Sequence, residues 1–428
     1  MKLWTRSPVS AFVLIVCATL VSARQDRVDL VFTRVRVFDG VHVIPLATVA
    51  VDKGIITSVD REQRPVSAST HIDGTGLTLL PGLIDAHVHI SGDRDSLRDA
   101  VRFGVTVAVD LFERLPHRMQ ALRRALAADA SCAQADYFSA GAGATVKGGH
   151  ACCSDGEPTI AVPSEADQFV HDRVAEGSEY IKIIVERGFE GRPLPTLDPP
   201  TVKALIDAAH RNAKLAIAHA TAPDDVRMVV EAGVDGLAHL WVSSRGKPGD
   251  DDRLIELIKA HGVFVIPTLT MIEALTTEDG SASLLGDARL APLLTARGRT
   301  SLQPSRAGSL RDSMETYFDN VRKLSRAGVP ILAGTDAPNA GVGHGISLHR
   351  ELQLLVKAGI RPLEALKAAT SSSASALRLN GHGAIVPGAR ADLVLVKGDP
   401  TMDILATRNI VSVWKCGQQI DRQPRDRQ

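Results

Sequence analysis

Aromatic residues make up only 4% of the 428-residue chain, too few for the stacked platforms on which proteins hold single-stranded bases. Charge of one sign is also missing. Lys plus Arg and Asp plus Glu number 49 each, so no net field draws the chain to nucleic acid or to anionic lipid. Five cysteines with no CxxC pair exclude a disulfide framework and leave a thiolate zinc site without support. Glycine (35) and proline (22) are too scarce for a low-complexity or collagen-like chain. No apolar run reaches the ~20 residues of a spanning helix, so no stable membrane anchor is expected. What is present is core-forming material. At 44% hydrophobic and 23% charged the composition is that of a globular protein, and the length suits one large barrel or a core with a smaller companion domain. The expected partner is a small molecule.

Residues 1–23 read as a signal peptide: Lys2 and Arg6 precede an apolar run from Ala11 to Val21, followed by Val21-Ser22-Ala23. Basic flank, short apolar stretch and small final residue form the secretory pattern, so export and cleavage near Ala23 are expected, with a periplasmic or secreted product. Val16, before Cys17, is bulkier than the residue that normally precedes a lipidated cysteine. An oxidising compartment would permit one bridge among the remaining cysteines, with Cys132 to Cys152 or Cys153 as the candidate pairs.

Alternating strands broken at Asp39-Gly40 and Lys53-Gly54 fill residues 28–59, and the same texture returns in "ARADLVLVKGD" and "NIVSVWKCGQQI". An isolated hairpin is marginal, so residues 24–80 and 384–428 are expected to combine into one small β-sandwich domain. Between them, residues 81–383 alternate apolar strands with amphipathic helices, the pattern of a parallel sheet. Strand candidates are "LIDAHVHI", "VTVAVDL", "DYFSAGA", "YIKIIV", "LAIAHA", "DGLAHL", "VFVIPTL" and "VPILAGTD". Eight strands predict a closed (β/α)8 TIM barrel within an α/β fold. The longest stretches without periodicity follow the third strand (141–163) and the seventh (268–309), where lids and binding loops are usual.

Barrel enzymes place their reactive groups at the C-terminal ends of strands. Here the first strand ends in His87-Val88-His89, the fourth carries Lys182, and the fifth, sixth and eighth end at His219, His239 and Asp336. Period-two alternation sets both imidazoles of His87 and His89 on one face, so both can reach one ion. Taken singly, each residue has a plainer reading: a histidine satisfied in the core, or in "GTDAP" an aspartate capping a helix. Lys182 inside "YIKIIV" is harder to dismiss, because a bare ammonium there is costly unless paired or neutralised. Coincidence at five strand ends of one barrel is a poor explanation.

The segments "PGLIDAHVHI", "YIKIIVERG", "AIAHAT", "GLAHL", "AGTDAP" and "PGARADLVLVKGDP" resemble, in order and spacing, those of the amidohydrolase superfamily, over nearly the whole of residues 28–420. The chain looks most like the imidazolonepropionase-like and prolidase-like branch. That resemblance implies a binuclear site: His87, His89 and Asp336 on one metal, His219 and His239 on the other, with a CO2-derived carbamate on Lys182 and a hydroxide bridging them. Two divalent ions are implied, zinc first, with Mn, Co or Fe equally suited to such ligands. The implied chemistry is hydrolysis of a C–N amide bond in a dipeptide, N-acyl amino acid or related amide, with Asp336 as general base and acid.

The same site would serve a lactone, ester or phosphotriester hydrolase, and a non-catalytic binding protein on this scaffold is a third reading. His150 in "VKGGH" and His344 in "GVGHGISLH" are the candidate substrate-binding residues, on loops at the barrel mouth. The apolar segments "LTMIEAL" and "ASLLGDARLAPLLTA" within 268–309 suggest a lid over the metals, or packing on the barrel's outer helices or on a second subunit of a homo-oligomer.

Overall fold

The computed structural model describes residues 27–152, 156–189, 191–276, 280–303, 310 and 312–424. The expected signal peptide and Cys153 lie outside the described residues. No helix among the described residues is long and apolar enough to cross a membrane.

Both ends of the chain enter one eight-stranded sheet. Val28–Phe38, Val43–Asp52 and Ile55–Asp60 form an antiparallel meander, while Ala68–Asp73 and Leu77–Pro81 run parallel to the first strand on its other side. Leu77–Pro81 then pairs antiparallel with Leu393–Lys397, which leads to Ile410–Lys415 and Gln418–Gln419. At the second turn Asp52 faces Ile55, leaving two residues, Lys53 at φ 49° and Gly54 at φ 77°. Two successive positive φ values make the turn whose twist matches a hairpin. Phe32 and Trp414 lie three strands apart in the sheet order, which in a flat sheet means ~14 Å. Their rings nonetheless meet edge-on at 4.9 Å, so the sheet curls around its own core of Phe32, Val37, Val49, Leu79, Leu393 and Trp414.

The barrel strands are Leu83–Val88, Val105–Asp110, Asp136–Ser139, Tyr180–Val185, Leu215–Ala220, Gly236–Ala238 and Phe264–Ile266, and every pairing among them is parallel. The third and fourth join through a bridge from Ala144 to Ile183. The eighth member, around residues 331–337, is not a regular strand. It bridges Val265 through Ile331 and Val88 through Ala337, and the Ala86 amide bonds to the Ala333 carbonyl at 2.9 Å. Ladder bonds therefore run on both of its flanks and close the circle. Gly334 is required there, because a Cβ would sit 2.5 Å from Ile266 Cγ2 and 2.9 Å from the His87 nitrogen.

Alternation sorts the strand residues. Ile181, Ile183, Ala216 and Ala218 face the helices; Val107, Val109, Ile217, Ile266 and Leu332 fill the interior. Tyr180, Lys182 and Ile184 share the inward register, which carries Lys182 up from an apolar floor. Helices such as Pro199–Arg211 cover the outside, that one started by the Asp198 carboxylate accepting from the Thr201 amide at 2.8 Å.

Cys132 bonds to Cys416, with 6.2 Å between Cα atoms and a sequence separation of 284, which corrects the expected pairing with Cys152 or Cys153. Cys132 precedes the third strand and so lies at the N-terminal end of the barrel, whereas Cys152 lines the cavity at the opposite end. Beside the bridge, the fully buried Lys415 ammonium bonds to Asp136 at 2.9 Å and Asp392 at 3.0 Å, tying the sheet to the barrel.

Candidate active site

His87, His89, Lys182, His219, His239 and Asp336 all line one cavity of about 990 Å³ at the C-terminal end of the strands. His89 Nε2 is 2.7 Å and His87 Nε2 3.5 Å from Asp336 Oδ1. These three residues can direct ligand atoms within 4.8 Å of one another. The rings of His87 and His239 are 4.8 Å apart, as are those of His239 and His219. Both nitrogens of His87 and Nζ of Lys182 are buried with no hydrogen-bond partner among the described residues. Buried polar atoms are normally paired, and each orphan costs on the order of 1–3 kcal/mol. Orphaned donor atoms gathered around one point fit the ligand set of a divalent cation.

Backbone conformation holds the donors in place. His239 at φ 77°, Thr268 at 50° and Asp336 at 64° occupy the left-handed region, uncommon outside glycine and frequent at functional sites. The His239 amide bonds to the Ile266 carbonyl at 2.9 Å and the Asp336 amide to the His87 carbonyl at 2.8 Å. Nδ1 of His239 meets Thr268 Oγ1 at 2.8 Å, leaving the other ring nitrogen as donor. Below them the buried Asp85 carboxylate accepts from the Thr335 amide at 2.9 Å and hydroxyl at 2.7 Å, stitching the eighth segment to the first strand.

Burial sets the charge states. It drives His87 and His239 well below the ordinary histidine value, so both imidazoles are neutral. Burial also lowers the Lys182 ammonium to about 7, with Asp336 opposing it. For Asp336 itself burial acts upward, but the hydrogen bond and charge of His89 outweigh it and the carboxyl stays below its ordinary value. Neutral imidazoles, a readily neutralised amine and an ionised carboxylate are the forms that bind divalent metals.

His150 lines the cavity with its ring stacked on His219 at 4.7 Å, and burial lowers its pKa to about 4. His344 does not line the cavity. It is buried, its pKa lowered to about 3 by burial and then by Arg297, because the chain turns at Gly345 into the helix Ile346–Lys357 and carries the ring into the protein. The segment after the seventh strand divides in two. Helix Leu269–Thr276 places Met271, Ile272 and Leu275 on the cavity wall, whereas Leu284, Leu290 and Leu294 pack with Phe103 and Ile346 in a separate cluster. The second half therefore serves structure. The cavity also receives Glu186, Arg192, Thr221 and Tyr317, none singled out from the sequence. Glu186 was within reach of period-two alternation, sharing the inward register of Lys182 and Ile184.

The amidohydrolase family model matches residues 78–421. An ochratoxinase of Aspergillus niger is 23% identical over 79% of this chain and 75% of its own. An imidazolonepropionase of Deinococcus deserti is 24% identical over 87% and 92%. The structure of a Xaa-Pro dipeptidase with bound methionine in the active site superposes with a TM-score of 0.70 at 22% identity, covering 92% of this chain and 99% of that one.

Proposed function

Because the chain belongs to the amidohydrolase family, we propose that it is an exported metal-dependent hydrolase that cleaves a C–N amide bond in a dipeptide, N-acyl amino acid or related small molecule. The observation that carries this is the set of buried donor atoms of His87 and Lys182, unpartnered among the described residues, beside Asp336. Relatives named ochratoxinase and imidazolonepropionase support hydrolysis of this type.

In this reading His87, His89 and Asp336 would hold one divalent ion and His219 and His239 a second, and Lys182, as a carbamate, would supply a further oxygen ligand. When bound, two such ions acidify water and polarise the scissile carbonyl. The protein's own contributions follow from the geometry. Burial lowers the Lys182 ammonium to about 7, so that near neutral pH a large share is the free amine, the form whose nitrogen adds to CO2 with loss of a proton. The Asp336 carboxylate, held below its ordinary value beside His89, is the group that accepts the proton of the attacking water and returns it to the leaving nitrogen. His150, neutral and facing the cavity, is placed to donate to the carbonyl oxygen as its negative charge grows. Met271, Ile272 and Leu275 form an apolar wall for a hydrophobic group beside the amide.

The test is metal analysis with a substrate panel on the whole protein. Two ions per chain are expected, with turnover of N-acyl amino acids or dipeptides. Leu275→Ala should cost on the order of tenfold in kcat/KM for bulky substrates and little for small ones. Turnover confined to lactones, esters or phosphotriesters would overturn the amide assignment. Export is supported by the Cys132–Cys416 crosslink, since such bonds persist in oxidising compartments. N-terminal sequencing of the exported protein should begin at Arg24; a cytoplasmic protein starting at Met1 would refute it.

A further inference from the structure

Glu186 follows the fourth strand directly, and its side chain is 1% exposed. Its oxygens are engaged on nearly every side. Oε1 accepts from the Gly188 amide at 2.8 Å and from Arg245 Nη2 at 3.1 Å, while Oε2 accepts from the Thr221 hydroxyl. Arg245, from the short turn Ser243–Arg245 beyond the sixth strand, also donates to Thr221 Oγ1 at 2.7 Å and to the Gly188 carbonyl at 2.7 Å. Three neighbouring strand ends thus converge on one carboxylate. His219 Nε2 lies 3.7 Å from Oε2 and has no hydrogen-bond partner among the described residues.

A buried ion pair alone is weak evidence for a stabilising role, because desolvation offsets much of the attraction. What distinguishes this one is its aim. A carboxylate fixed beyond a metal-binding imidazole sets the ring's tautomer and orientation; here it faces Nε2 of His219, which leaves Nδ1 to present its lone pair. Thr221, two residues beyond His219 on the same face, keys the carboxylate to the strand that carries the ring. We infer that Glu186, clamped by Arg245 and Thr221, is a positioning residue for His219, holding its imidazole as a ligand of the second divalent ion. This rests on the binuclear reading above.

The experiment measures Zn(II) affinity by chelator competition, and the visible absorption of the Co(II)-loaded protein, in wild type, Glu186→Gln and the double variant Glu186→Gln/Arg245→Met. Glu186→Gln should weaken the second ion by about 10–100-fold and change the Co(II) spectrum, while the first ion stays bound. Glutamine removes the charge that Glu186 sets against half-buried Arg245 and risks misfolding. The double variant removes both charges at similar volume and should recover wild-type thermal stability without recovering the affinity or the spectrum. A folded variant of either kind with wild-type affinity and spectrum would overturn the inference. If wild type itself binds no second ion, the binuclear reading fails first and this inference with it; if wild type and both variants bind two ions equally, only this inference fails.

Discussion

Lys182→Ala should lose bound metal and turnover together and yet fold as well as the parent. The amine is buried with no hydrogen-bond partner among the described residues, and its pKa is lowered to about 7 chiefly by burial, so the metal-free protein carries a desolvation cost that alanine removes. The sign of the linked pH effect follows. Unfolded, the lysine keeps its proton up to its ordinary value of 10.5, whereas the folded metal-free chain releases it from about 7. Across that window the unfolded state binds more protons, so metal-free stability rises with pH, and Lys182→Ala should flatten the rise. Turnover is another matter. Losing several kcal/mol of charge stabilisation at the carbonyl, at about 1.4 kcal/mol per decade, lowers it on the order of 10³-fold or more. Propionate, a carboxylate small enough for the vacated volume, should restore part of both metal content and turnover. Lys182→Arg should not, since guanidinium stays cationic and cannot ligate. Metal analysis, melting curves from pH 7 to 10 and single-substrate kinetics decide it, and wild-type turnover with two ions in Lys182→Ala would end the reading of Lys182 as their shared ligand.

The parts of the site legible in the sequence obey local rules. Alternation places His87 beside His89 and turns Lys182 inward, and strand ends predict where His219, His239 and Asp336 gather. All six line one cavity. The composite sheet was legible for a similar reason: strand texture at both chain ends has to find partners. What escaped depends on contacts between distant segments. Arg245 sits in "VSSRGKPGD" with nothing local to mark it, and its partner Glu186 is 59 residues away. Cys416 lies 284 residues from Cys132, a span no spacing rule covers. Apolar content showed that the segment after the seventh strand must bury something. It could not show that Met271 and Leu275 would face the cavity while Leu284 and Leu290 packed on Phe103. His344 was misleading in the same way, since a loop position at the mouth does not determine the direction of a ring.

Asp336→Asn should separate proton transfer from ligation. Asp336 has φ 64°, a region that asparagine and aspartate tolerate better than other side-chain-bearing residues, so the substitution keeps the backbone where alanine would strain it. The amide oxygen can still ligate beside His87 and His89, and most of the metal should remain bound. What is lost is the carboxylate base, because a neutral amide neither takes the water's proton nor returns it to the leaving nitrogen. Turnover should therefore fall by about 10²–10⁴-fold, the range for removal of a general base, with a much smaller change in KM. Substrates with a better leaving group, such as p-nitroanilides, should lose less, because they depend less on protonation of the departing nitrogen. Pre-steady-state and steady-state kinetics on p-nitroanilide and alkylamide substrates, with metal content measured on the same samples, make the comparison. Equal losses for both leaving groups, at full metal content, would confine Asp336 to activating the water and assign the acid to another residue, with His150 the first to substitute. Retained turnover at full metal content would move the base elsewhere altogether.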